Sequence, residues 1–136
     1  MIWLLDTNTL IYFANRSKGY EGIARRLSGR SPGEVRMSSV TLSELEYGVE
    51  NSRYRDENRA ALDDLVSLIA VDDYPQSAAR HFAELKAALK AKGKATKPYD
   101  LLIGAHARAL DATLVTNDTD DFRYMPGLRL VNWLRR

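Results

Sequence analysis

Short apolar runs alternate with stretches of helical period along this chain, and that alternation most narrows what it can fold into. The run at 2–5 precedes apolar positions at 11–14 and 23–27, and the run at 35–37 precedes those at 42–49. Leu62, Leu65, Val66 and Ile69 recur at helix spacing ahead of Ala70-Val71, and Phe82, Leu85, Ala88 and Leu89 do so ahead of a stop at Gly93. Leu101, Leu102, Ala105, Ala109 and Leu110 repeat the pattern before Thr113-Leu114-Val115, and a last short run at 128–131 follows a Pro126-Gly127 turn. Strands that alternate with helices pair in parallel through right-handed crossovers, with helices covering both faces. The expectation is an α/β chain: a three-layer α/β/α domain with a central parallel sheet of about five strands.

With 136 residues the chain has the length of one domain, read here as 1–136, and can remove roughly two-thirds of its unfolded surface from water. Cysteine is absent, which excludes disulfides, thiolate metal ligands and cysteine nucleophiles, so any metal must be held by oxygen or by histidine. There is no signal-peptide pattern at the N-terminus and no apolar run near the roughly 20 residues that span a bilayer. The expectation is a soluble, cytoplasmic protein without a membrane partner.

In such a sheet, ligands bind beyond the carboxyl ends of the strands, where the chain leaves a strand for a helix. Asp6 stands at that junction in "LLDTNTL". Glu44 in "SSVTLSELEYG", Asp100 in "KPYDLLIGAHA" and Asp118 in "LVTNDTDDF" occupy similar junctions. Each has a plain structural explanation: Asp6 and Asp118 suit helix N-caps, Asp100 suits a first turn, and Thr41-x-x-Glu44 fits a capping box. Parallel topology, however, gathers all four at one edge. Two carboxylates about 4 Å apart repel by roughly 4 kcal/mol at an effective dielectric near 20, against about 1 kcal/mol for an N-cap. Protons or cations must therefore neutralise the cluster, and an all-oxygen site suits Mg²⁺ or Mn²⁺. Metal-assisted hydrolysis is the expected chemistry.

"LLDTNTLIYF", "SSVTLSELEYG", "PYDLLIGAHA" and "LVTNDTDDF" with the later "PGLRLVNW" resemble, in order and spacing, the blocks of PIN-domain ribonucleases, and specifically the VapC toxins of bacterial VapBC toxin–antitoxin modules. The resemblance covers nearly the whole chain. It implies that Asp6, Glu44 and Asp100 bind Mg²⁺ or Mn²⁺ and position the attacking water, with Asp118 or Asp121 as the fourth acid. It assigns hydrogen-bonding support to Thr7, Asn8, Thr116 and Asn117, with Asn8 and Thr116 the nearer neighbours. It also implies a homodimer, a VapB-type antitoxin whose C-terminal segment blocks the acidic cleft, and an RNA substrate, with transfer RNA the leading candidate. The competing reading is a non-catalytic PIN-like module that binds RNA or a protein. A phosphotransfer domain with Asp6 as nucleophile needs a second acid two residues on, where this chain has Asn8.

The net charge of +2 argues nothing by itself, because 18 acidic residues nearly cancel 20 basic ones. Their distribution says more. Lys86, Lys90, Lys92, Lys94 and Lys97 gather with no acid beyond Glu84, and Lys90, Lys92, Lys94 and Lys97 read as an RNA-contacting strip as readily as a solvated helix end. Tyr99, beside Asp100, is the aromatic expected at the rim of the cleft. Trp3, Tyr12, Phe13, Tyr47 and Trp133 read as core or dimer contacts. His81 is expected on a helix surface, and His106 reads as packing ahead of catalysis. Arg135 and Arg136 form a solvated basic end within reach of RNA.

Overall fold

The computed structural model describes residues 1–134; Arg135 and Arg136, and the reading of them as a basic tail, lie outside the described residues. Strand β1 (Trp3–Leu5) leads into helices α1 (Thr7–Ala14) and α2 (Tyr20–Ser28), and β2 (Val35–Ser38) leads into α3 (Ser39–Glu50) and α4 (Arg55–Leu68). Then follow β3 (Ala70–Asp72), α5 (Ala78–Ala91), α6 (Pro98–Ala109), β4 (Thr113–Val115), the short α7 (Thr119–Phe122) and β5 (Arg129–Val131). The five strands pair in parallel in the order β3-β2-β1-β4-β5, as the alternation of apolar runs requires.

Successive side chains of a strand point to opposite faces, and here that rule builds two cores. Leu4 and Leu114 enter the core roofed by Leu85 and Leu89 of α5 and Leu101 and Ile103 of α6. Their neighbours Leu5 and Val115 enter the other, with Met37, Leu10 of α1, Ile23 of α2 and Leu62 and Leu65 of α4. A sheet buried on both faces needs apolar residues at every position, which is why its strands read as runs rather than as alternation. Trp133 is fully buried in the second core, its ring centroid 5.5 Å from that of Trp3. Tyr47, by contrast, is exposed on α3.

Because β1 lies in the middle, the strand order reverses on either side of it. The crevice beyond the carboxyl ends of β1 and β4 is the topological switch point at which parallel sheets bind ligands. Asp6 directly follows β1, and Thr116 directly follows β4.

Two expectations about helix starts need correction. Helix α3 begins at Ser39, with Ser38 as its N-cap accepting from Val40 N, so Thr41 and Glu44 form no capping box. The backbone enters the helix as soon as β2 ends, which places Thr41 inside the first turns, buried and facing α1. Asp118 occupies the N-cap position of α7 without a side-chain capping bond.

Candidate active site

Asp6 is placed by its own helix. It is the N-cap of α1 in extended conformation, its Oδ1 accepting from Thr9 N over 2.9 Å, while its Oδ2 accepts from Thr116 Oγ1 over 2.6 Å. The capping explanation of this residue is therefore correct, but it uses only one carboxylate oxygen. Asp6 is 3% exposed. Burial pushes its carboxyl above the usual aspartate range, against the hydrogen bonds from Thr116 and Thr9, and nearby Asp118 adds to the rise.

Glu44 lies on α3, where its Oε1 accepts from Thr7 Oγ1 over 2.6 Å, with Thr41 Oγ1 3.3 Å from the same hydroxyl. Asp100 sits in the first turn of α6, which Pro98 opens. Its carboxyl is pushed up to about 6, first by burial and then by the charge of Asp121, with Asp6 and Glu44 adding to the effect and Lys97 opposing it. Asp121, in α7, is raised by burial and by its neighbour Asp118. The carboxylates thus sense one another, as crowding at one sheet edge demands.

Asp6, Thr7, Asn8, Glu44, Lys97, Tyr99, Asp100 and Asp121 line a single cleft of about 110 Å³. Of the two candidates for the fourth acid, Asp121 is in this lining. Asp118 is not; its backbone N–H donates to Thr116 Oγ1 over 3.0 Å. The supporting residues divide differently from the expectation. Thr116 and Thr7 hold Asp6 and Glu44 directly, whereas Asn8 lines the cleft as an exposed residue and, among the described residues, neither it nor Asn117 has a side-chain hydrogen bond to an acid. A threonine one position after a strand-terminal carboxylate faces away along that helix, toward α3, which is a tertiary fact that spacing does not reveal.

The donors are all oxygen, which fits a hard cation. Among the described residues no three His, Asp or Glu side chains stand close enough to form a closed cage.

The lysine strip is exposed throughout, but only Lys97 reaches the cleft. Tyr99 stands at the rim, 55% exposed. His81 is half-buried rather than a plain surface residue. His106 is fully buried away from the cleft lining: Nδ1 lies 2.8 Å from Ser38 Oγ and Nε2 3.0 Å from Asp72 Oδ1. Burial pushes the Asp72 carboxyl up, but its bonds to His106 and Arg36 outweigh this and hold it below its usual value. This chain of polar groups was not foreseen from sequence; no local spacing links Ser38, Asp72 and His106.

A known family model, the PIN domain, matches residues 3–128 of the chain. The chain belongs to the PIN-domain family. Relatives set this PIN domain in the VapC branch. It is 36% identical to Ribonuclease VapC2 of Rickettsia felis over 134 residues, 98% of each chain. It is 37% identical to the tRNA(fMet)-specific endonuclease VapC of Shigella flexneri over 131 residues, 96% of this chain and 97% of the relative. Its fold is similar to the crystal structure of VapBC2 from Rickettsia felis bound to a DNA fragment from their promoter, with a TM-score of 0.89 and 35% identity, covering 98% of this chain and 99% of that one. Strand β5 lies beyond the matched span of the PIN domain but pairs with β4 and so completes the sheet.

Proposed function

We propose that this PIN domain is a Mg²⁺- or Mn²⁺-dependent endoribonuclease that acts as the toxin of a toxin–antitoxin pair in the cytoplasm. The observation that carries the reading is the convergence of Asp6, Glu44, Asp100 and Asp121 on one cleft at the switch point of the sheet. Relatives of matching length that are named ribonucleases support it, and the tRNA(fMet)-specific relative makes transfer RNA the preferred substrate class.

These carboxylates would hold the cation, with Asp121 as the fourth acid in place of Asp118. Bound there, a divalent cation activates water and neutralises charge developing on the phosphodiester. The chain's own groups do the rest. Thr116 and Thr7 fix Asp6 and Glu44 in one orientation, so no rearrangement is needed as the substrate arrives. Lys97 brings a positive charge to the lip of an otherwise acidic cleft and offsets its repulsion of RNA. Lys90, Lys92 and Lys94 extend that field, and Tyr99 offers a ring to a base at the rim. Water oxygen attacks phosphorus and sheds a proton, the bond to the 3′ oxygen breaks and that oxygen takes up a proton, and the products carry a 5′-phosphate and a 3′-hydroxyl.

An antitoxin of the VapB type fits a second feature. An apolar groove of about 300 Å³ runs between α1, α3 and α4, lined by Ile11, Leu45, Val49, Leu62 and Leu65, and reaches Glu44 at one end. A segment seated there would stop at the acids. The similarity to the Rickettsia felis VapBC2 structure supports this partner, and a homodimer is the proposed state of the toxin itself.

The test is cleavage of tRNA(fMet) by the purified protein, with Mg²⁺ or Mn²⁺ and after exhaustive chelation. Cleavage that needs the cation supports the reading. Full activity after chelation sinks the mechanism, and RNA binding without cleavage under any cation favours the non-catalytic module.

A further inference from the structure

Beside the acidic cleft, three cations are organised around one half-buried residue, Tyr124. Lys94 Nζ stands 4.3 Å from the centroid of its ring, and the Arg123 guanidinium carbon 4.8 Å from it. Arg123 Nη2 also donates to Tyr124 Oη over 2.9 Å, and Lys92 Nζ donates to the Tyr124 carbonyl oxygen over 3.1 Å. The lysines come from the α5–α6 connection and the arginine from the end of α7, so tertiary packing brings these charges together.

Like charges gather only where something holds each of them. The face of the ring attracts the ammonium and guanidinium groups, and a carbonyl oxygen takes the third. Neither neutralises them. Arg123 has one carboxylate near it, Asp120 at 3.5 Å with a side chain 78% exposed. Among the described residues no carboxylate lies within 4 Å of Lys92 or Lys94. The cluster keeps a net positive field.

That field borders a hollow of about 190 Å³ lined by Lys94, Thr96, Lys97 and Tyr124 together with Asp120 and Asp121. Lys97 and Asp121 also line the acidic cleft, so the two depressions share a wall. The geometry points to a phosphate subsite here: Lys92, Lys94 and Arg123, held by Tyr124, bind the RNA backbone next to the bond being cut. The subsite rests on the ribonuclease reading of the cleft and adds to it a contact one phosphate away from the acids. A strand whose cut phosphate sits among the acids lays a neighbouring phosphate against the cations. Tyr124 acts as the holder of the cations. Its ring is already covered by them and is not a platform for a base.

The experiment uses labelled tRNA(fMet) in two measurements: cleavage by the otherwise wild-type chain, and equilibrium binding at several salt concentrations by chains carrying Asp6→Asn. The pair Lys92→Gln with Lys94→Gln, both exposed, should raise KM and Kd about tenfold with kcat nearly kept. It should also flatten the slope of log Kd against log salt by about 0.7–0.9, the share of the one phosphate that the subsite neutralises. Lys18→Gln, an exposed charge removed elsewhere, should change neither. Tyr124→Leu, which removes no charge, should raise Kd severalfold with its melting temperature recorded alongside, and Tyr124→Phe, which keeps the ring and loses only the bond from Arg123, should raise it less. An unchanged KM and salt slope in the double lysine variant, while the wild type cleaves, overturns the subsite. A wild type that cleaves no RNA overturns the ribonuclease reading instead, and the binding slopes then still decide whether the cations meet phosphate.

Discussion

Thr116 Oγ1 donates to Asp6 Oδ2 over 2.6 Å, tying the residue that follows β4 to the residue that follows β1. The same hydroxyl accepts from Asp118 N over 3.0 Å, so its orientation is set from two sides. Asp6 is thereby a helix cap through one oxygen and a fixed, buried carboxylate through the other.

Replacing Asp6 with Asn separates those roles. As caps the two residues are nearly equivalent, so the bond from Thr9 N survives. Removing a buried charge that desolvation already disfavours should leave the metal-free protein equally or more stable. It should also shrink the thermal stabilisation given by Mn²⁺, because a ligand stabilises only in proportion to its preference for the folded state. RNA cleavage should fall by about 10³-fold or more, the scale on which removing an electrostatic contributor acts. Melting curves with and without Mn²⁺, beside a cleavage assay, check this; an unaltered metal shift and rate would return Asp6 to capping alone.

Stability without metal should rise as the pH is lowered from 7 to 5. Asp100 is pushed from 3.8 up to about 6, so the fold prefers its protonated form. Its contribution is fully present below about 3.8, the value in the unfolded chain, and is lost as pH rises through about 6. Asp6 and Asp121 are shifted in the same direction. Asp72 is shifted down, and its stabilisation is lost only as pH falls below 3.8, outside this window. Thermal melts in chelator at stepped pH read the trend, and a melting temperature that falls between pH 7 and 5 contradicts it.

His106→Ala should destabilise the fold by about 2–4 kcal/mol, since it opens a cavity, leaves Ser38 Oγ with Val40 N alone and strands one oxygen of Asp72. Ser38 caps the helix that carries Glu44, and His106 lies on the helix that carries Asp100. Denaturant unfolding measures the loss. A change under about 0.5 kcal/mol would mean that water replaces the imidazole at no cost.

Gly22→Ala should cost about 1–3 kcal/mol, because a Cβ there would meet the carbonyl oxygen of Trp133, which is backbone and has little room to yield. The substitution raises helix propensity in α2, so propensity alone predicts the opposite sign. Urea midpoints decide between them.

The alternation of apolar runs was enough to set the α/β class, the parallel strands and the junction at which Asp6 stands, because buried strands read as short apolar runs and the helices between them repeat at helical spacing. Glu44 and Asp100 do not stand at such junctions: Glu44 lies inside α3, and α6, which carries Asp100, follows α5 rather than a strand. What such local patterns do not reach was decided only by packing. The order β3-β2-β1-β4-β5 puts Thr116 against Asp6, 110 residues away, and α1 against α3 puts Thr7, not Asn8, on its acid. Thr41 and Glu44 match a capping box by spacing, yet the chain turns into α3 three residues earlier, since Ser38 meets the free amide of Val40 first. Asp118 and Asp121 are equal candidates along the chain and differ only in which one the turn of α7 presents to the cleft. Hydrogen bonds and close charges act over about 3–4 Å, and residues that near in space are unconstrained in sequence separation. The local pattern therefore names the residues that bear the chemistry, and tertiary structure selects which of them meet.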